Sequence, residues 1–198
     1  MATTHAEVGT RDRILFTSAE LFRRQGYAGT GLKQITAQAE APFGSLYHFW
    51  PGGKQQLAEE VLRTGGSFFL ALYRQVVDDA PDLASGIAAF FSGAADTLSA
   101  TDFADACPIA TVAGEIASSH EALRQATADV FELWLTALAD DLVAAGAAPR
   151  RARPVALSTL ALLEGAFLLS RSLRTTEPMH QAGASAVALV STTLEVSS

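Results

Sequence analysis

The sequence predicts an all-α protein of nine helices, and three observations carry that prediction. Residues 64 to 198 are rich in Ala and Leu and hold few strand signals. Apolar side chains recur at helical spacing between breaks marked by Gly, Pro and Asp. Residues 30 to 54, TGLKQITAQAEAPFGSLYHFWPGGK, place two short helical patterns either side of a tight polar break. That is how a helix-turn-helix unit reads, the motif that sets one short helix in the DNA major groove.

The first helix is expected over residues 10 to 25. Ile14, Leu15, Ala19 and Phe22 form its stripe, and Gly26 is its C′ stop. For the second, Thr30 reads as the N-cap, with Leu32, Ile35 and Ala39 on one face and Lys33, Gln34 and Gln38 left in water. Pro42 can open the third helix, because its missing N–H is not needed in a first turn. It also disfavours helical backbone at Ala41, which puts the turn at Glu40 and Ala41. The third helix, residues 42 to 48, turns Leu46 to the core and leaves Phe43, Gly44, Ser45, Tyr47 and His48 around its other sides. Pro51, Gly52 and Gly53 stop it.

A long fourth helix follows over residues 54 to 79, about 39 Å at 1.5 Å per residue, with Gly65-Gly66 able to bend it. Later patterns cover 82–99, 107–118, 121–145, 150–174 and 180–196. Ala80-Pro81, Thr101-Asp102, Pro108, the stretch from Gly146 to Pro149, and Glu177-Pro178 mark the breaks. No internal repeat or low-complexity linker divides the chain, so its parts are expected to share the fourth helix.

Composition is that of a globular protein, with 49% hydrophobic residues in 198. No apolar run reaches about 18 residues without a polar break, so no membrane-spanning helix is expected. The start, MATTHAEVGTRDR, has no apolar core of a secretory signal. Cys107 stands alone, which excludes an internal disulfide and suits a reducing cytoplasm. A formal charge of −7 read globally argues against a nucleic-acid partner. The charge is uneven, however. Residues 1 to 63 hold seven Lys or Arg against six acids, net +1, and the remainder seven against fifteen, net −8. That split favours docking on DNA in one orientation, while the acidic surface also suits plain solubility.

Thr30, Ile35, Ala39, Gly44, Leu46, Tyr47, Phe49 and Lys54 stand in the register of a known signature: a Thr opening the second helix, an Ile-Ala pair along it, then Gly-x-Leu-Tyr-x-His-Phe and a Lys. Here the chain resembles the TetR family of bacterial transcriptional regulators, with His48 one place earlier than the commonest pattern. The run from Ala41 to Phe49 followed by Pro51-Gly52-Gly53-Lys54 is similar to the lincomycin-resistance-repressor-like branch. Two departures stand out. Phe43 occupies a position that often holds Arg in that branch, and Trp50 is inserted between Phe49 and Pro51, enlarging the apolar patch under the turn.

The resemblance implies an N-terminal DNA-binding domain over 1–53 and a ligand-binding and dimerisation domain over 54–198. It also implies phosphate contacts from Thr30, Tyr47, His48 and Lys54, each with a donor suited to an anionic oxygen. Lys33, Gln34 and Ser45 are the polar side chains best placed for base edges, Phe43 can touch a thymine methyl, and Gly44 permits close backbone approach. Tyr47 and Phe49 have a core reading as well, and a tyrosine ring can pack while its hydroxyl reaches a phosphate.

One such helix does not select a genomic site alone, so a homodimer on two half-sites is expected. Leu157, Leu160, Ala161, Glu164, Gly165, Leu168 and Leu169 on the eighth helix are its candidate interface. The ninth contributes Ala182, Ala186, Leu189, Val190 and Leu194, and the small Gly165, Ala166, Gly183 and Ala184 would let helices approach closely. Across a two-fold axis these make a four-helix bundle. The middle region would hold a small hydrophobic or aromatic effector. Phe69, Tyr73, Phe90, Phe91, Phe131, Trp134 and Leu135 are its apolar lining, beside Phe68 and Leu72. Tyr73, Cys107, Thr111, Glu115 and Trp134 are its polar fixtures.

The implied function is a cytoplasmic repressor that binds a palindromic operator and is released by its ligand, with no cofactor, metal or membrane partner. A regulator of the same fold answering to a protein partner, or to no ligand, is the alternative. A helical enzyme is disfavoured. His5, His48, His120 and His180 lie far apart, with no Glu-x-x-His pair and no Gly-x-Ser-x-Gly elbow. Pro51-Gly52-Gly53-Lys54 lacks the first Gly of a phosphate loop and the strand before it.

Overall fold

Hydrophobic periodicity delivers what it predicts: among the described residues the regular structure is nine α-helices. The computed structural model describes residues 9–116 and 120–195. In chain order the helices are α1 (Thr10–Gln25), α2 (Leu32–Gln38), α3 (Phe43–Phe49), α4 (Gly53–Asp78) and α5 (Leu83–Ala100). There follow α6 (Pro108–Ile116), α7 (Glu121–Ala144), α8 (Pro149–Leu173) and α9 (Glu177–Glu195). The expected continuations of α6 to residue 118 and of α9 to 196 fall outside the described residues.

Three local expectations change. Thr30 does not cap α2; the cap position is Gly31, with no side-chain bond to the helix. Pro42 is the N-cap of α3 and not its first helical residue. Glu177-Pro178, expected as a break, forms the first turn of α9, where proline sacrifices no hydrogen bond.

Clustering of contacts divides the chain into two compact units. The first comprises residues 1–66 and 108–130, so it takes in α1, α2, α3, α6 and the N-terminal parts of α4 and α7. Its core is made by Ile14, Phe22, Ile35, Leu46, Trp50, Leu57, Leu62, Ile109, Ile116 and Leu123, all fully buried. The α1 helix is the hub of this unit, packing on α2, α3 and α6. Compactness in this unit therefore runs past residue 53, the expected boundary.

The second unit comprises residues 67–107 and 131–198. There α9 packs on both α5 and α8, burying Leu83, Ile87, Phe91, Leu98, Leu142, Met179, Ala186 and Val190. A Cβ on Gly183 would stand 2.9 Å from Phe91 Cβ, so this glycine lets α5 and α9 approach each other. By length and composition α8 is, among the described residues, a helix apolar enough to cross a bilayer. Ser158, Thr159 and Glu164 interrupt its apolar run. Its apolar content is divided between the contact with α9 and an outward leucine stripe described below.

Candidate DNA-reading head and effector region

The turn between α2 and α3 falls at Glu40 and Ala41, as the sequence predicts. Glu40 takes a left-handed backbone, φ 49, uncommon for a residue with a Cβ. Arg13 of α1 holds it there: Nε donates to the Ala39 carbonyl at 3.0 Å and Nη2 to the Glu40 carbonyl at 3.2 Å. The Ala41 N–H closes back onto the Thr36 carbonyl at 2.9 Å. Sequence reasoning missed Arg13, since its partners lie 26 and 27 residues downstream and no local pattern marks them.

Helix α3 is anchored by Leu46 and, at its C-cap, by Trp50, both without exposure. Around that anchor Phe43, Gly44, Tyr47 and His48 are exposed and Ser45 is half-buried. Phe43 and Tyr47 meet edge to face, with centroids 5.8 Å apart. Among the described residues a Cβ on Gly44 would meet nothing within 4 Å, so no packing among them asks for glycine there. The face offers an aromatic ring, bare backbone, a phenol and an imidazole: apolar contact and hydrogen-bond donors together.

On α2, Lys33 is exposed and Gln34 half-buried, the latter's Oε1 accepting from Gln25 Nε2 at 2.9 Å. Thr30 is 1% exposed. Its hydroxyl donates to the Gly26 carbonyl at 2.7 Å and accepts from Gln25 Nε2 at 3.3 Å. Its oxygen is satisfied inside the protein, so Thr30 closes the α1–α2 turn and leaves no donor for a phosphate. Lys54 stands at the start of α4 with Nζ 4.1 Å above the Tyr27 ring. Burial lowers its pKa, and the charge of Glu115 partly opposes that shift. Tyr27 is itself raised, by burial first and then by Glu59. Trp50 is more than an enlarged apolar patch. Its Nε1 donates to Glu60 Oε2 at 2.8 Å, and the Arg11 guanidinium lies 5.3 Å over its ring.

The structure divides the effector candidates. Phe69, Tyr73, Phe90, Phe91, Cys107, Phe131, Trp134 and Leu135 belong to the second unit, Thr111 and Glu115 to the first. Trp134 takes the edges of Phe69 and Phe131 at 6.3 and 5.8 Å, and Tyr73 meets Phe90 at 5.7 Å. Phe91 and Leu135 are buried in the core of that unit. The Tyr73 hydroxyl donates to Asp141 Oδ2 at 2.8 Å, and Arg74 pairs with the same carboxylate. Burial, and then Asp141, raise the Tyr73 pKa well above the ordinary tyrosine value. Glu115 does not sit among these aromatics. Its Oε2 accepts the Ala28 N–H at 2.8 Å, a partner 87 residues away that helical spacing does not reveal.

The proposed dimer residues also separate. Leu157, Ala161, Leu168 and Leu169 are exposed on α8, Leu168 to 68%, and Leu160 and Leu189 are half-buried. Ala186 and Val190 are fully buried, and Ala182 and Gly183 are buried as well, because that face of α9 packs on α5. They are core residues and not interface. Glu164 turns its carboxylate inward. Both oxygens lie out of solvent with no N–H or O–H donor, beside the Cys107 thiol, and burial lifts the group to about 7. An open groove of about 340 Å³ runs along the outer side of α8 and α9, lined by Ala161, Gly165, Leu169, Gln181 and Ser185 among others.

A three-helix head with an anchored, outward-facing α3, joined to a larger helical body, defines a helix-turn-helix DNA-binding regulator, and the chain belongs to the TetR family. Residues 14–61 match the family model described as bacterial regulatory proteins, tetR family. Residues 84–185 match the model described as transcriptional regulator LmrA/YxaF-like, C-terminal domain, which places the chain in that branch. It is 32% identical over 170 residues to the HTH-type transcriptional regulator LmrA of Bacillus subtilis, covering 86% of this chain and 90% of that protein. It is 34% identical over 170 residues to the regulator YxaF of the same organism, covering 86% and 89%. The fold matches a TetR regulatory protein from Rhodobacter sphaeroides with a TM-score of 0.81 at 20% identity, over 91% of this chain and 98% of that one. This family comprises transcription regulators and not enzymes.

Proposed function

We propose that the chain is a homodimeric repressor that binds a palindromic operator in the cytoplasm and is released by a small hydrophobic or aromatic effector. The observation that carries the reading is the α3 face, where Phe43, Gly44, Tyr47 and His48 are exposed over fully buried Leu46 and Trp50. Rings left about half exposed on a short helix are available to a surface that meets a partner. In this reading Tyr47, His48 and Lys54 take phosphates. Lys33, Gln34 and Ser45 take base edges, Phe43 a thymine methyl, and Gly44 the close backbone approach.

The division of labour assigns DNA binding to 1–53 and dimerisation and ligand binding to 54–198. The α8 stripe of Leu157, Ala161, Leu168 and Leu169 supports the dimer, since solvent-exposed leucines in a row cost free energy unless covered. The rings of Phe69, Phe131 and Trp134 support an aromatic ligand. The test is a mobility-shift titration on DNA flanking the protein's own coding region, at two salt concentrations. Saturable binding at nanomolar protein that survives excess unrelated DNA supports the reading. Affinity no better than for competitor DNA of any sequence counts against it.

A further inference from the structure

We propose that Glu115, on α6, is a positioning residue for the DNA-reading head: its carboxylate latches the α1–α2 turn and so fixes where α2 and α3 stand. The inference rests on the reading of α3 as the DNA-facing helix and adds a residue outside the helix-turn-helix to it. Three observations meet at one corner of the first unit. Glu115 Oε2 accepts the Ala28 N–H at 2.8 Å. Gly26 has φ +76, and a Cβ there would fall 1.5 Å from Glu115 Oε1. The carboxylate therefore occupies the space any side chain at 26 would need, and glycine at this position serves both the backbone and the acid. Tyr27, between them, is met by a tilted Phe22 ring at 5.8 Å and edge to face by His120 at 5.3 Å, with the Lys54 ammonium 4.1 Å above its ring.

Two of the ties on the turn are the Thr30 hydroxyl to the Gly26 carbonyl at 2.7 Å and Glu115 to Ala28. The first tie lies within the head. The second comes from a residue of the stretch 84–185 that matches the LmrA/YxaF-like C-terminal domain. Since α2 follows the turn directly and packs on α3, loosening the second tie displaces the reading face. A carboxylate near a phosphate-binding surface has an opposite effect by charge, because its removal would strengthen DNA binding. The sign of the change on removal separates the two roles.

The test compares Glu115→Ala and Glu115→Gln in the full-length protein. Binding to the flanking DNA is followed by fluorescence anisotropy across salt, and amide hydrogen exchange is followed for the peptide spanning residues 26 to 31. We expect Glu115→Ala to bind DNA about tenfold more weakly, the loss carried by one hydrogen bond to a charged acceptor. Its salt slope should be unchanged, because no phosphate contact is lost, and the 26–31 peptide should exchange faster. Glu115→Gln should retain affinity within about twofold, because its amide oxygen still accepts the Ala28 N–H. Binding by Glu115→Ala as tight as wild type or tighter, or a Gln variant as weak as Ala, overturns the proposal. Tyr47→Ala run in parallel reports on the α3 face itself. Wild-type affinity in that variant removes the α3 reading, while the exchange rate at Ala28 still judges the latch.

Discussion

The indole N–H of Trp50 donates to Glu60 Oε2 at 2.8 Å, and Arg11 Nη2 reaches the other oxygen of the same carboxylate at 2.5 Å. One acid on α4 thereby joins the residue that ends the reading helix to the first turn of α1. Trp50→Phe keeps most of the buried ring and removes the donor. We expect a loss of about 1–2 kcal/mol, the cost of leaving a part-buried acceptor short of a partner. Urea denaturation of the full-length protein measures it, and a change under a few tenths of a kcal/mol would show the bond to be idle.

Tyr47 is 48% exposed, its ring edge to face with that of the exposed Phe43. Tyr47→Ala should leave the unfolding midpoint in place and weaken DNA binding about tenfold for every operator sequence alike, as befits a phosphate contact. Lys33→Ala differs in kind. Removing the cation proposed to read base edges should change the ranking of operator variants, which an anisotropy panel of single-base substitutions resolves.

Leu168 carries the test of the dimer. Leu168→Arg sets a charge in the middle of the α8 stripe, where burial against a second copy would leave it unpaired. The expected outcome is a shift from dimer to monomer in sedimentation velocity with helix content preserved by circular dichroism. Retention of the dimer would move the interface elsewhere.

Glu164 makes stability depend on pH. Burial lifts its carboxyl to about 7 from an ordinary 4.5, so the folded chain keeps a proton that the unfolded chain releases. Stability from this group is full below about pH 4.5, declines as pH rises towards 7 and is flat beyond. Glu164→Gln should therefore flatten the urea midpoint between pH 5 and 8, and at pH 8 should exceed wild type by on the order of 2 kcal/mol. A variant that tracks wild type across the range would show the carboxylate to be hydrated.

The helices were legible because each is a run of apolar side chains at one period, closed by Gly26, Pro51, Pro81 or Gly146. The reading face was legible for the same reason: with Leu46 inward, Phe43, Gly44, Tyr47 and His48 have nowhere to go but out. What escaped was decided by neighbours distant in sequence. Periodicity says that Ala186 and Val190 share a face of α9, but not that α5 claims that face and leaves α8 to present the leucines. Thr30 looks like a cap from its place before an apolar run, yet Gly26, four residues upstream, takes its hydroxyl first. Glu115 reads in sequence as a polar fixture of the effector region, and only the fold joins it to Ala28.

Among the described residues, nothing touches the place where a side chain at position 44 would be. That makes the position thermodynamically silent and functionally exacting at once. Gly44→Ala should raise helix propensity and stabilise the free protein by up to about 1 kcal/mol, while holding the backbone of α3 a methyl group away from DNA. Selection on abundance or heat resistance would retain this substitution as an improvement. Variant libraries of this regulator that are sorted by folding alone will collect well-behaved proteins that no longer read DNA, and their defects will gather on the outer side of one seven-residue helix.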